Sequence, residues 1–458
     1  MKISIIKYNL SRAALLLVVM GLSFTSCKKF LENGTPPNSL TEDKAFVDSA
    51  TATSVVLALY SRIANSNPQN NSGVFNITRL GAMSADEGYY LLDNSFDNFK
   101  NNTLSAGEDG NYIWFDLYQS IGRANYAIKG LETTTTLSTA AKNQLLGEAK
   151  FMRAWYYFYL VNYFGDVPLV TNTDALTNGL LPKTPASQVY QQIVTDLLDA
   201  KNLLTTAYPS IEKARINKRV ASAFLARVYF YQQNWVAAEA EATDVISSAA
   251  YNIETNLNNA FIKTSSETIW QIANTTGVTA MGGQFIPASA TPNFVLYDTL
   301  VKTFEAGDQR KVSWTKSIVY SSKTYNYPYK YKIRTGTTGN EYAIMIRLAE
   351  LYLIRAEARA QLNNISGSQA DINIVRTRAG LANTSAATQP ALLATLEHER
   401  WVELFTEHSD RWFNLKRTNK ATAVLSMIKP AWQPFQQLYP IPLSDRTANP
   451  NLSDNTGY

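Results

Sequence analysis

The sequence predicts an all-α protein: a scaffold of helical hairpins separated by long irregular loops. Three observations predict it. Apolar residues recur at helical spacing in four stretches. Small residues, mostly alanine, alternate with large ones inside two of them. The segments between mix aromatics, acids and amides without a helical period. Of the 458 residues, 45% are hydrophobic, 12% aromatic and only 17% charged, so material for a core is plentiful and disorder is not expected.

The amino-terminal segment predicts export. Lys2, Lys7 and Arg12 precede an apolar run over residues 13–22, too short for a permanent membrane span. Ser23-Phe24-Thr25-Ser26 then leads into Cys27, the only cysteine of the chain. Residues 1–26 read as a secretory signal to be set aside in fold reasoning. A lone cysteine forms no internal disulfide, and its place here resembles a bacterial lipobox, in which Cys27 is the lipidation site and mature N-terminus. The competing reading is an ordinary signal with an incidental cysteine. Residues 27–40, rich in Pro, Gly and Asn, read as the lipidated N-terminus and tether, and 41–458 as one domain.

Charge narrows the partners. The chain carries 42 Lys+Arg against 37 Asp+Glu, and residues 1–26 hold three of those bases and none of the acids, leaving 39 against 37. So slight an excess is no nucleic-acid signature. A second long apolar stretch is missing, so the mature chain is expected to be a soluble body on a lipid anchor.

Residues 51–64 are the first periodic stretch, with Val55, Val56, Leu59 and Ile63. Residues 141–164 are the second, ending at Gly165-Asp166-Val167-Pro168. Residues 219–248 read as two helices broken near Asn234. There, Leu225-Ala226, Tyr229, Gln233-Asn234-Trp235 and Ala238 follow the register of a tetratricopeptide helix pair. Residues 342–362, followed by 367–379, repeat the alternation through Ala356, Ala358, Ala360 and Ala370.

Several of these segments together resemble the SusD/RagB family. They are Gly147-Glu-Ala-Lys-Phe-Met-Arg-Ala-Trp-Tyr-Tyr-Phe-Tyr-Leu160 closing in Phe164-Gly-Asp-Val-Pro-Leu169, Lys218-Arg-Val-Ala-Ser-Ala-Phe-Leu-Ala-Arg-Val-Tyr229, and Arg347-Leu-Ala-Glu-Leu-Tyr-Leu-Ile-Arg-Ala-Glu-Ala358. Behind them come Asp371-Ile-Asn-Ile-Val-Arg-Thr-Arg-Ala-Gly380, Glu399-Arg400-Trp401 to Leu415, and Leu438-Tyr-Pro-Ile-Pro442 to Tyr458. The opening Cys27-Lys-Lys-Phe30-Leu31-Glu32 is similar too. The resemblance implies an outer-membrane lipoprotein, expected at the cell surface. It would bind oligosaccharides, or sometimes peptides, over a SusC-like TonB-dependent transporter without cleaving them. No cofactor or metal is implied.

The motifs themselves report packing. Arg and Glu in residues 347–358, with Arg400, Glu403, Asp410 and Arg411, are expected to form structural ion pairs. The ligand surface is expected on the loops, because sugars are held by aromatic faces with amides, carboxylates or Arg at their hydroxyls. One candidate runs from Met83 to Asn102 and offers Asp86, Tyr89, Tyr90, Phe96 and Asn101. A second holds Trp314 with Tyr320, Tyr325, Tyr327, Tyr329 and Tyr331. The alternation Tyr327-Pro-Tyr329-Lys-Tyr331 predicts a strand with three rings on one face.

Two other classes were weighed. A glycan hydrolase needs paired carboxylates, for which Asp86 with Glu87, or Glu397 with Glu399, are the nominees. Adjacent acids point apart, and residues two apart share no helix face. His398-Glu399-Arg400-Trp401-Val402 begins like a zinc motif but lacks its second histidine, and His398 and His408 are the only histidines. A tetratricopeptide-type adaptor would bind no small ligand, against which the aromatic loops argue. The expectation is a binding protein and no enzyme.

Overall fold

Helix α1, Ser49–Ala64, starts where the Asp48 carboxylate accepts hydrogen bonds from the Ala50 and Thr51 amides, at 2.8 and 2.9 Å. It buries Ala52, Val56, Leu59, Tyr60 and Ile63, one stripe at helical spacing. The computed structural model describes residues 42–64, 73–107 and 111–458. The expected signal 1–26, the lipidation site Cys27 and the tether 27–40 lie outside the described residues. The short helix Glu42–Ala45 belongs to a unit separate from Phe46–Tyr458.

The larger unit is mostly helical. Helix α2 is Val74–Ser84, α3 Asn111–Thr133 and α4 Thr139–Phe164. From Phe151 to Val161 every residue of α4 is buried, as expected of a helix that is apolar all round. Three of its tyrosines place their hydroxyls on backbone carbonyls: Tyr156 donates to Leu59 (2.8 Å), Tyr157 to Val170 (3.0 Å) and Tyr163 to Ile77 (3.0 Å). Helix α5, Ala186–Leu203, packs along α4, and the Arg153–Asp196 ion pair (2.6 Å) joins them.

Two helical hairpins follow the same local rule. In the first, α6 (Lys218–Tyr231) turns into α7 (Trp235–Ser247) through Gln233 at φ 58°, and Asn234 accepts a hydrogen bond from the Ala237 amide. In the second, α8 (Leu348–Gln361) turns into α9 (Ile365–Arg378) through Asn363 at φ 61°, and Asn364 accepts one from the Gly367 amide. A left-handed residue followed by an asparagine cap thus makes both breaks. Helix α10 is Gln389–Leu404 and α11 is Asp410–Arg417. Leu353, Ala356, Ala360, Ile372, Val375, Leu392, Leu396 and Leu404 form one core cluster across α8, α9 and α10.

One expectation fails at its start. Residues 343–347 were to open the helix ending near 362, yet Ala343–Arg347 is a strand that pairs antiparallel with Thr268–Ile272. Buried on both faces, it shows no alternation of apolar and polar residues to betray it. In chain order the strands are β1 (Gly88–Tyr90), β2 (Thr268–Ile272), β3 (Phe294–Leu296), β4 (Thr315–Tyr320), β5 (Lys323–Pro328) and β6 (Ala343–Arg347). They pair as β1–β3, β2–β6 and β4–β5.

Under the hairpins lies a buried charge network. Arg347 reaches Glu403 (2.5 Å), Glu407 (2.8 Å) and Glu267 (3.1 Å), while Arg310 reaches Asp308, Glu399 and Glu403. Arg376, Arg378 and Lys330 complete it on Glu399, Glu403 and Glu407. Burial pushes the Glu407 carboxyl up, but Arg347 and Lys330 outweigh it and hold it at about 2. Elsewhere Arg227 pairs with Glu350 and Arg400 with Asp410. The ion pairs expected of these residues are present.

Candidate ligand-binding surface

The ribbon β1–β3 sets Tyr89 opposite Val295 and Gly88 opposite Leu296. Gly88 has a local reason to be glycine: a Cβ there would meet the Phe294 ring at 2.5 Å and the Val295 carbonyl oxygen at 2.7 Å. The close approach brings the half-buried Tyr89 beside Tyr297, their ring centroids 4.8 Å apart at 46°. The Lys100 ammonium lies 4.7 Å from the Tyr89 ring. Strand β5, which carries Tyr325, packs on β3. Burial, then Tyr325 and Asp298, raise that phenol above its ordinary value.

The sequence-predicted residues divide. Tyr89 and Tyr327 are half-buried on strands, and Phe96 is half-buried with Arg79 stacked 4.2 Å from its ring centroid. Asn101 is exposed at the end of the short helix Asp97–Asn101. Tyr90 turns inward against Phe294 and Phe96, 5% exposed.

Trp314 has no exposed surface. Its indole donates to the Leu257 carbonyl at 2.9 Å, and Lys330, Arg347 and Arg378 all lie within 5.7 Å of its ring. It lids the charge network and offers no face to a ligand. The predicted strand over 327–331 is also corrected. Strand β5 ends at Pro328, and Tyr331 is buried against Phe261 with its hydroxyl accepting from the Ile344 amide. Only Tyr327 and Tyr329 stay together, edge to face at 6.3 Å.

Asp86 is buried and held by Arg411, whose guanidinium lies 3.9 Å from the centroid of Trp401. The pair forms the wall of a cleft of about 640 Å³, also lined by Lys302, His398, Trp401 and Met427. Its neighbour Glu87 points elsewhere and accepts from the Thr406 amide at 3.1 Å; burial pushes its carboxyl up to about 8. Glu397 pairs with Lys420, and Glu399 with Arg310 and Arg376. Each carboxylate nominated for hydrolysis is therefore engaged, Asp86 and Glu397 both with Arg411.

Glu305, His398 and Glu399 bring ligand atoms within 4.8 Å of one another, but Arg376 bonds both carboxylates. Tyr297 and Trp401 escaped sequence reasoning. Neither sits in an aromatic cluster of the sequence, and only β1–β3 pairing brings Tyr297 to Tyr89.

Family models match nearly the whole chain. A family model described as "Starch-binding associating with outer membrane" matches residues 29–230, and one described as "SusD family" matches residues 224–458. "SusD-like protein P2" of Formosa agariphila is 26% identical over 99% of this chain and 100% of its own. "SusD-like protein P25" of the same organism is 24% identical over 96% and 98%.

Solved structures share the fold. A SusD superfamily protein from Bacteroides vulgatus has a TM-score of 0.80 at 19% identity, over 90% of this chain and all of that one. A laminarin-binding SusD-like protein has a TM-score of 0.77 at 24% identity, over 89% and 99%. Surface glycan-binding protein A from Bacteroides fluxus has one of 0.74 at 20% identity, over 89% and 99%.

Proposed function

The chain belongs to the SusD family, and from that premise we propose that it captures oligosaccharides at the outer membrane without cleaving them. It passes them to a SusC-like TonB-dependent transporter. The observation that carries this reading is the Tyr89–Tyr297 ring pair on one ribbon, with strand β5 and its Tyr325 packed against that ribbon. Adjacent half-buried phenol rings suit the C–H faces of sugars, and Lys100 and Asn101 are placed nearby for hydroxyls.

The non-catalytic part rests on the carboxylates: of the four nominees only Asp86 and Glu397 line one cleft, where Arg411 stands beside both, while Glu87 and Glu399 are buried on other partners. Among the described residues no helix is long and apolar enough to cross a membrane. Attachment is assigned to lipidated Cys27, at the cell surface. Peptides are the second ligand class to try.

The test is calorimetry on the full chain in detergent, with laminari- and malto-oligosaccharides first and product analysis of the same samples. Saturable binding of an intact ligand, lost in Tyr89→Ala and Tyr297→Ala, is expected. A cleaved ligand would overturn the capture reading. For the partner, a tagged chain solubilised from outer membranes is expected to retain a barrel-sized protein, and its absence after mild extraction would count against delivery.

A further inference from the structure

Residues 309–340 contain seven bases, Arg310, Lys311, Lys316, Lys323, Lys330, Lys332 and Arg334, and no acid. The near-neutral balance of the chain hides this run. Arg310 and Lys330 are used up in the buried network. The other five pair with no carboxylate among the described residues. Lysines elsewhere do find acids: Lys150 meets Asp199 at 2.7 Å and Lys201 meets Glu241 at 2.7 Å.

The β4–β5 register sets where these charges stand. Lys316 is opposite Tyr327, Ile318 opposite Tyr325 and Tyr320 opposite Lys323, so these six side chains share one face of the hairpin. The Lys316 ammonium lies 4.1 Å from the Tyr329 centroid, and the Lys332 ammonium 4.8 Å from the same ring. Lys323 lies 4.9 Å from the Tyr325 ring. Lys332 donates to Asn258 Oδ1 (2.6 Å) and to the Ser313 carbonyl (2.8 Å), which leaves one of its three N–H groups. Glu341, the nearest acid to it in sequence, already accepts from the Lys332 and Ile333 amides.

Two ammonium groups therefore lie within 4.8 Å of one phenol ring's centroid and in no ion pair among the described residues, with Glu341 the one acid whose charge acts on Lys332. Burial and the charge of Lys316 pull Lys332 down to about 8. We propose that this face of the hairpin, with Lys316 and Lys332 beside Tyr329, selects anionic glycans, whose uronate carboxylates or sulfate esters meet the ammonium groups while the sugar ring lies on tyrosine. Lysine recognises such groups as a point charge, so either anion fits. The inference rests on the glycan-capture reading and specifies its substrate class.

The test compares four probes on the full chain in detergent: tetragalacturonate, a sulfated galactotetraose, neutral laminaritetraose and a single-stranded DNA oligomer. At least one anionic tetrasaccharide is expected to bind about tenfold tighter than the neutral one and to weaken by about tenfold between about 50 and about 500 mM salt. Whichever anionic probe binds identifies uronate or sulfate as the group read. Lys316→Gln is expected to lower that affinity several-fold and to flatten its salt dependence. Lys323→Gln and the salt titration serve the same purpose if that variant misfolds.

Neutral sugar bound as well as the anionic ones, with no effect of Lys316→Gln, would overturn the selection and leave glycan capture standing. DNA bound as tightly as the anionic sugars would mark an undiscriminating cationic patch and overturn it. Binding of no saccharide would overturn both.

Discussion

Asp86 and Arg411, 325 positions apart, form a two-pronged ion pair: Nε lies 2.7 Å from one carboxylate oxygen and a terminal nitrogen 2.8 Å from the other. They are 1% and 4% exposed. The pair ties the segment before β1 to α11 at the wall of the cleft. Removing Arg411 leaves the Asp86 carboxylate buried without an ion-pair partner among the described residues, a loss of about 3–5 kcal/mol. Arg411→Ala is expected to lower the urea unfolding free energy by that order. The double variant with Asp86→Ala is expected to lose clearly less than the two single losses combined. Additive losses would show that the side chains are not coupled.

Trp314 and Tyr89 are expected to respond in opposite ways. Trp314→Ala empties a fully enclosed site and exposes the charge network, at a stability loss of about 3–5 kcal/mol. Any saccharide affinity of the folded fraction is expected to be unchanged. Tyr89→Ala removes a half-buried ring, with a loss near 1 kcal/mol in stability and about 1–3 kcal/mol in saccharide binding. Calorimetry and urea titration on both variants check this. A Trp314 variant that stays fully stable yet loses ligand would reverse the assignment.

The helices were legible because their signals are local. Gln233-Asn234-Trp235 carries its break in three residues, and Asn363-Asn364 repeats it. What escaped depends on distance or on the backbone. The strand Ala343–Arg347 is buried on both faces and so lacks alternation. The aromatic group at Tyr89 was half legible, since Tyr89 lies in an aromatic run whereas Tyr297 joins it only through a distant strand pairing. Asp86 drew notice as an acid among aromatics, yet the residue that decides its role, Arg411, lies near the other end of the chain. Trp314 shows the converse error, since sequence spacing does not separate a ring facing solvent from one that lids a charge network.

Two buried groups act on acid stability with opposite sign. His408 donates from Nε2 to the Ile344 carbonyl at 2.7 Å, and burial, reinforced by Arg227, pulls its imidazole down to about 4 from an ordinary 6.5. The unfolded chain takes up a proton there that the folded one refuses, so stability falls as pH drops from 6.5 toward 4. Glu87, raised by burial to about 8 from 4.5, keeps a proton in the fold that the unfolded chain releases. Its contribution is fully present below pH 4.5 and is lost as pH rises toward 8. Between pH 4.5 and 6.5 the two nearly cancel, at about 1.4 kcal/mol per pH unit each. Measured against the parent chain, whose Glu341 is also raised by burial to about 7, Glu87→Gln is therefore expected to lose stability with acid across that window and His408→Gln to gain it. Parallel curves for the two variants would refute the assignment.

The β4–β5 hairpin turns through Ser321 at φ 47° and Ser322 at φ 62°. Two positive φ values in a two-residue loop fit the type I′ turn, for which Asn-Gly is the preferred pair. Serine carries a Cβ into that region at a cost, and the missing Asn-Gly signal is also why the hairpin escaped sequence reasoning. Ser321→Asn with Ser322→Gly relieves the strain, which is expected to slow amide exchange across residues 315–328 about fivefold, the equivalent of about 1 kcal/mol in local opening. The turn lies at the far end of the hairpin from Tyr329, so saccharide affinity is expected to stay within about twofold, the scatter of a surface substitution away from the contact. Unchanged exchange would mean that opening is limited by the docking of β5 on β3.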